Sequence, residues 1–408
     1  MIFDVVVIGS GAAGIMSSIK AASDKKSVLL LEKMPKIGLK LKATGGGRCN
    51  ITNKLGLEDF INSFGRQGRF MRDALSEFYH DDLIKFLSDI GLQTHAPDGF
   101  RVFPLSHDSK SVLDVLRAKM KELKIDIRCK QNVQKMQKNS ELFTIFTKID
   151  KFQSKHVIIA TGGLGYSTLG ASGDGYEFAK SFGHHVTDLH AAMIPLHVQE
   201  KWVKNCRADT IAKVTLKIDL PKMQKIHKTG DLIFTKNGIR GPVVLDFATE
   251  VTPLLDRYAK VPLLANFTKG MNENQIQIFL KQEAKKDSQK EIVEFLQKIL
   301  PLSLSQEICN LADIDHTLPY SKIPGFKKEK LIKLLAWTPL NVIGHDGFDK
   351  AMITKGGVNL KEIDPKTMQS RLVKGLYFCG EVVDLDGPCG GYNLQWSFSS
   401  GYMAGCLR

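Results

Sequence analysis

Residues 5–14, Val5-Val6-Val7-Ile8-Gly9-Ser10-Gly11-Ala12-Ala13-Gly14, join a short β-branched run to three glycines spaced G-x-G-x-x-G. The chemistry open to such a stretch is the binding of a dinucleotide pyrophosphate. Gly9 permits a tight turn, Gly11 lets phosphate oxygens approach the backbone, and Gly14 lets the following helix lie close on the strand. A second apolar run, residues 27–31, ends in Glu32, where this fingerprint calls for a carboxylate to meet a ribose hydroxyl. An isolated G-x-G-x-x-G is often only a βα turn, and the acid closing the second run weighs against that reading.

Three further clusters carry comparable chemistry. Residues 33–48 contain Lys33, Lys36, Lys40, Lys42 and Arg48 with no acid among them, and lead through Thr44-Gly45-Gly46-Gly47-Arg48-Cys49-Asn50. Three consecutive glycines hold neither helix nor strand cheaply, so they imply backbone folded against something flat or anionic. Cys49, beside Arg48 and the glycine loop, is the candidate catalytic acid; a small buried packing residue is the alternative. A buried-strand pattern at residues 156–159 runs into Ala160-Thr161-Gly162-Gly163. Another, at residues 375–379, runs into Gly380-Glu381 and Asp384 before Gly390-Gly391-Tyr392-Asn393 opens a helix over 394–406. That helix is rich in serine and glycine, which suits close packing on another backbone, and its N-terminus carries a partial positive charge. Together the clusters describe one extended ligand, with its pyrophosphate on the first helix and its far end on the last. A flavin dinucleotide fits better than NAD, because the pyrimidine edge of a reduced flavin is negative.

The elements that must position these groups alternate along the chain. Spacing predicts one helix over 69–90 and another over 111–123, then a β-meander through 142–149 and 152–159. From 191 to 267 short strand patterns at 214–220, 232–235 and 261–267 predict a small antiparallel β-domain. Amphipathic stretches at 272–284, 289–300, 304–311 and 327–335 predict an inserted helical subdomain. Residues 337–339 and 352–358 read as strands returning from that insert, with Gly356-Gly357 a candidate to face the reactive side of the ligand. Gly183-His184-His185 reads as the C-terminal turn of a helix. The fold class expected from the elements is α/β, a Rossmann-type dinucleotide-binding domain with an inserted antiparallel β-domain and a small helical subdomain.

Composition bounds the function. The chain has 408 residues and 57 Lys and Arg against 43 Asp and Glu, a net charge of +14. That excess favours a polyanionic partner, with surface solubility the alternative. Seven cysteines with no C-x-x-C suit a reducing cytoplasm, and the eleven histidines show no ligand spacing, so no metal is expected. No membrane-spanning apolar run and no signal-peptide pattern stand in the sequence.

Four segments together resemble the YhiN-like/BaiN-like NAD(P)/FAD-dependent oxidoreductase flavoproteins: residues 5–14, 37–53 (IGLKLKATGGGRCNITN), 158–176 (IIATGGLGYSTLGASGDGY) and 376–405 (LYFCGEVVDLDGPCGGYNLQWSFSSGYMAG). The resemblance implies a discontinuous Rossmann-type FAD-binding domain (GR-like) from 1–190 and 353–408, an inserted antiparallel β-barrel substrate domain from 191–270 and 334–352, and a helical insert at 271–333. It implies that Gly9, Ser10, Gly11, Ala12, Ala13 and Gly14 hold the pyrophosphate, with Glu32 on the adenosine ribose and the Val133 backbone near adenine. It places Lys33, Lys40, Thr44, Gly45, Gly46, Gly47, Arg48, Cys49, Asn50, Ala160, Thr161 and Gly162 around the cofactor. Glu381 and Asp384, beside Gly380, fall near its ribityl and pyrophosphate section, and Gly390, Gly391, Tyr392 and Asn393 at the isoalloxazine. One loop departs: Lys236 and Arg240 stand where relatives usually carry histidine and serine. The implied reaction is hydride transfer from NAD(P)H, docked transiently, through flavin N5 to an electron-poor double bond. Reduction of uridine to dihydrouridine in ribosomal RNA is attributed to some members, and this suits the charge. Alternatives are an oxidase of a small amine that releases peroxide, and a non-enzymatic flavin sensor or RNA-binding module.

Overall fold

Val5, Val6 and Val7 are fully buried because the strand they form lies in the middle of a sheet covered on both faces. This strand, β1 (Ile2–Ile8), pairs in parallel with β2 (Val28–Glu32) on one side and with Lys151–Ile159 on the other. Helix α1 (Ala12–Ser23) makes the crossover between β1 and β2. The computed structural model describes all 408 residues and divides into two units, residues 1–191 with 348–408, and residues 192–347.

In the first unit a seven-stranded sheet runs in the order Asp126–Cys129, β2, β1, Lys151–Ile159, Leu142–Thr147, Val133–Asn139. Leu376–Phe378 adds to Lys151–Ile159 in parallel, so it joins the sheet beside the strand that follows the meander. Five parallel strands, Asp126–Cys129 among them, therefore bring their carboxyl ends to one edge; in the other four, Ile8, Leu31, Ile159 and Phe378 are followed there by Gly9, Glu32, Ala160 and Cys379. In open α/β sheets that edge is where ligands bind. The C-terminal helix Tyr392–Gly405 packs along α1, backbone to backbone. A Cβ on Gly401 would stand 2.4 Å from the Ala13 carbonyl oxygen, and one on Gly405 2.6 Å from that of Ser17.

The single helix expected over 69–90 is instead three pieces: a 3-10 segment Gly65–Met71 and α-helices Arg72–Glu77 and His80–Asp89. The break falls at Phe78, which is extended (φ −154°, ψ 91°). Its carbonyl accepts from Ser399 Oγ at 2.6 Å, so contact with the C-terminal helix outweighs local periodicity.

The second unit is a closed antiparallel barrel in the order Leu196–Val198, Gly238–Arg240, His227–Phe234, Thr210–Ile218, Val261–Asn266, Thr338–His345, returning to the first strand. Residues 337–339, read from sequence as part of a returning strand, begin its closing strand, whose Thr338 pairs with Ala265. Helix Pro242–Leu255 lies among the short strand patterns and was not expected there, although its buried residues Val243, Val244, Phe247, Ala248 and Val251 repeat at helical spacing. Helices Glu273–Lys286, Ile292–Leu296, Leu302–Leu311 and Gly325–Ala336 lie between the fifth and sixth strands of the barrel. No helix of the chain is long and apolar enough to cross a membrane.

Candidate cofactor site

The glycines of the first turn divide by what surrounds them. Gly9 has φ +98°, and a Cβ there would lie 2.5 Å from the Ala160 carbonyl oxygen. On Gly14 a Cβ would lie 1.9 Å from the Gly9 carbonyl oxygen. Both are required by protein packing alone. Gly11 differs: nothing lies within 4 Å of its Cβ position. It is the N-cap of α1, and no side chain caps the helix. The first-turn amides thus face open space beside Ser10, Ala12 and Ala13, the arrangement an anionic phosphate needs.

Glu32, at the end of β2, accepts from the Met34 amide at 2.8 Å through Oε1, and through Oε2 from the Ser10 amide at 3.0 Å and the Ser10 hydroxyl. It ties the second strand to the glycine turn. Gln131, whose amide donates to the Glu32 carbonyl at 2.9 Å, has a buried side-chain oxygen with no partner. Val133 follows at the start of its strand, buried.

Gly45, Gly46 and Gly47 have φ of +59°, +65° and +88°, a run of left-handed residues that only glycine adopts cheaply. The loop closes on itself through Cys49 N to Thr44 O at 3.0 Å and Thr44 Oγ1 to Leu41 O at 2.7 Å. Arg48 is exposed and leans over the Phe103 ring. Asn50, oriented so that both amide groups are satisfied, accepts from Gly391 N and donates to Thr52 O, each at 3.1 Å. Asn53 Nδ2 donates to Gly390 O at 2.9 Å. The structure thereby joins the Gly45–Asn50 loop to the Gly390–Asn393 turn from the far end of the chain. Asn393 holds that turn by exchanging hydrogen bonds with Gly387 N and O, both at 2.8 Å.

At the third strand end, Thr161 Oγ1 is buried without a partner, and Gly162 (φ +72°) has open space at its Cβ position. Glu381 sits between them and the lysine-rich segment. It pairs with Lys40 at 2.7 Å through Oε2 and accepts from Thr354 N at 2.9 Å through Oε1. Asp384 is half-buried, takes a hydrogen bond from Gln67 at 2.9 Å, and has its carboxyl pushed up by burial. Lys33 turns instead to Asp174 at 2.6 Å.

Four residues sit in surroundings unlike those their expected roles call for. Cys49 is 0 % exposed, and burial pushes its thiol up to about 11. It sits in a left-handed turn (φ +59°), closed off from solvent. Tyr392 is buried and stacks on Phe60 at 5.0 Å between ring centroids. Gly356 and Gly357 owe their identity to backbone: a Cβ would lie 2.1 Å from the Asp188 carbonyl oxygen and 2.7 Å from that of Val382. Sequence reasoning missed Asn53, Gln67 and Thr354. Asn53 lies at the end of a segment already singled out; no spacing signal points to the other two.

Open backbone at Gly11, Gly46, Gly47 and Gly162 and unpartnered buried polar atoms on Thr161 and Gln131 line one edge of the sheet, and these fit an extended dinucleotide such as FAD. Fold and site define an α/β flavoprotein oxidoreductase with an inserted barrel. The chain belongs to the HI0933-like family: the model for the HI0933-like protein Rossmann domain matches residues 3–407. It is 32% identical over 402 residues to the 3-dehydro-bile acid delta(4,6)-reductase of Clostridium scindens, covering 98% of this chain and 97% of that one. It is 30% identical over 403 residues to the ribosomal RNA dihydrouridine synthase of Haemophilus influenzae, covering 97% and 96%. Among solved structures, 3-ketosteroid delta1-dehydrogenase from Sterolibacterium denitrificans superposes with a TM-score of 0.54 at 12% identity over 99% of this chain and 98% of that one, a likeness of fold.

Proposed function

We propose that the chain is a reductase of a carbon–carbon double bond conjugated to a carbonyl, taking its electrons from NAD(P)H, and that its substrate is a uridine in ribosomal RNA. The observation that carries this is the end-to-end match to two enzymes whose names state related reactions, reduction of an unsaturated oxo-steroid and formation of dihydrouridine. Each saturates a C=C bond near a ring carbonyl. The net charge of +14 favours the RNA substrate over the steroid, since Lys and Arg neutralising phosphates supply affinity for any RNA.

Bound FAD would supply a two-electron carrier that accepts and returns hydride at its N5. The chain's own residues bind and orient it. Gly11 and the first-turn amides of Ala12, Ala13 and Gly14 hold the pyrophosphate, while Gly9 and Gly14 let the turn close. Glu32 receives the adenosine ribose by exchanging its Ser10 hydroxyl bond for a ribose hydroxyl, and Val133 borders adenine. Ala160, Thr161 and Gly162 take the middle of the cofactor, with Thr161 Oγ1 gaining the partner it lacks. Lys40 fixes Glu381, and Glu381 and Asp384 beside Gly380 line the ribityl section. The joined loops, Thr44–Asn50 and Gly390–Asn393, border the flavin ring, with Arg48 the exposed cation on the first of them, and Lys33 braces the end of β2 through Asp174.

The test is mass spectrometry of ribosomal RNA from cells lacking the protein, with anaerobic reoxidation of the NAD(P)H-reduced holoprotein by that RNA. Loss of a dihydrouridine and RNA-dependent return of the oxidised flavin spectrum are expected. Reoxidation by an unsaturated oxo-steroid alone would keep the reaction and remove the RNA. Rapid peroxide release with amines in air, and an unchanged RNA, would overturn both in favour of an oxidase.

A further inference from the structure

We propose that the barrel unit carries a binding site for RNA backbone phosphates, in the depression where Lys201, Lys204 and Lys236 meet His197 and Asn237. The inference rests on the RNA reading above and gives it a place on the surface.

The depression holds about 350 Å³ and lies wholly within the barrel unit. It is set by three pieces of backbone. Strand Leu196–Val198 pairs with Gly238–Arg240, so that His197 lies opposite Gly238. The tight turn through Lys236 and Asn237 is closed by Thr235 N to Gly238 O at 2.8 Å and pinned to the strand by Val198 N to Asn237 O at 3.1 Å. The 3-10 segment Lys201–Cys206 follows directly. Val203 and Cys206 are buried, and Trp202 packs edge-on against Phe234 at 5.7 Å. Three flexible cations therefore rise from rigid backbone around one hollow.

Charge in the hollow is not cancelled locally. Lys201, Lys204 and Lys236 are exposed and make no ion pair. Glu200, the one acid lining the hollow, spends its carboxylate on Asn341, accepting from N at 3.0 Å and from Nδ2 at 2.8 Å. Asp346 faces His197 at 3.0 Å, Glu307 is taken by Asn205 at 2.9 Å, and Asp209 by the Ser303 hydroxyl. The Asn237 side chain adds an amide donor.

A single phosphate would be served by this hollow alone, but the segment that forms it is basic well beyond the three lysines. Between Lys201 and Arg240 the chain has ten Lys and Arg against Asp209, Asp219 and Asp231. Arg207, Lys213, Lys222, Lys225, Lys228 and Arg240 are exposed as well. On the outer face of the hairpin Thr210–Ile218 and His227–Phe234, Lys217 lies opposite His227 and sits 3.9 Å over the Trp337 ring. Many exposed cations on one unit suit a repeating phosphate chain better than an isolated anion. Two of these charges, Lys236 and Arg240, are the positions where the sequence departs from the family pattern it resembles.

The experiment compares the holoprotein with the triple variant Lys201→Gln/Lys204→Gln/Lys236→Gln, and with a control triple on the other unit, Lys110→Gln/Lys121→Gln/Lys366→Gln. The control removes the same charge from other exposed positions. Binding of a fluorescein-labelled oligouridylate is titrated at several salt concentrations. For three lost phosphate contacts to a single strand, the slope of log K against log salt should fall by about 2, and affinity at low salt by tenfold or more. The control should keep the wild-type slope. Equal losses in both triples, or none in the first, would overturn the site while leaving the RNA reading intact. Wild-type protein that binds no RNA at low salt would overturn that reading and the site together. Displacement of the probe by inorganic phosphate as readily as by unlabelled oligouridylate would reduce the site to a free-anion pocket and overturn its assignment to RNA. Unchanged flavin content and melting temperature in the first triple separate loss of binding from loss of fold.

Discussion

Replacing Gly11 and Gly14 separately by alanine sets ligand space against packing space within one motif. At Gly11 the backbone is ordinary for alanine (φ −71°), and no atom lies within 4 Å of the new Cβ. Alanine is a poorer N-cap than glycine by up to about 1 kcal/mol, but it removes about 0.4–1 kcal/mol of unfolded-chain entropy, so the apoprotein should be nearly unchanged. The methyl group instead occupies the approach of the pyrophosphate. Losing two charge-assisted hydrogen bonds of about 1.5 kcal/mol each weakens FAD about a hundredfold. At an FAD concentration a hundred times the wild-type Kd, ligand stabilisation then falls from about 2.7 to about 0.4 kcal/mol. Gly14→Ala reverses the pattern. The 1.9 Å approach to the Gly9 carbonyl forces helix and strand apart, which costs about 1–3 kcal/mol and outweighs the helix-propensity gain of about 1 kcal/mol. The assay is thermal unfolding of deflavinated protein with and without FAD, beside a flavin-fluorescence titration. Wild-type FAD affinity in Gly11→Ala, or an apoprotein destabilised as much as Gly14→Ala, would refute the assignment of that open space to the pyrophosphate.

Three other substitutions probe the rest of the site. Cys49→Ala should keep turnover within a few-fold and cost about 1 kcal/mol of stability; with a thiol at about 11, the rate should show no thiol limb between about pH 6 and 9, and a hundredfold loss of turnover in a folded variant would restore Cys49 as the proton donor. The Lys40–Glu381 pair has side chains 24 % and 17 % exposed, so Lys40→Met should cost about 1–2 kcal/mol, less than a fully buried pair would; a double-mutant cycle with Glu381→Gln that finds no coupling would count against the pair. Burial holds the Asp384 carboxyl above 3.8, so the folded state keeps this proton more tightly than the unfolded chain does. Its contribution is therefore most favourable below that pH and is lost as pH rises through the folded value. Asp384→Asn should raise stability near pH 7 relative to pH 4, as read by denaturant unfolding at both, and a flat difference between the two would contradict the burial argument.

Much of this architecture was legible because its strongest signals are local. A buried parallel strand followed by glycine is a pattern of about ten residues, and it appears at Gly9, again at Gly162 and again at Gly380. Each time the structure places it at a strand's carboxyl end. The barrel was legible as composition and alternation, and residues 337–339 as a strand, but the pairing of Thr338–His345 with Val261–Asn266 was not, because the helices separate the two in sequence. Helix Pro242–Leu255 was missed, although its buried residues carry a helical period, because it lies among short strand patterns, and the broken helix at Phe78 because its carbonyl bonds to a serine 321 residues later.

The same distinction separates the roles within the site. Residue type announces what a group could do, whereas its surroundings decide whether it is free to do it. Cys49 and Tyr392 carry reactive or polarisable side chains, yet both are spent on packing, while Gly11 and Gly162 contribute by leaving space. Asn50 and Asn53, which looked like loop residues, close the longest sequence gap in the site by gripping Gly391 and Gly390. With Gly391 at φ +88° and its Cβ position only 2.5 Å from the Thr52 carbonyl carbon, the grip tolerates no side chain there. The two loops therefore brace each other. A flavin ring bordered by both would then bind in step with the docking of the C-terminal segment, so FAD affinity should depend on Asn50 and Asn53 even though neither need touch the cofactor through its side chain.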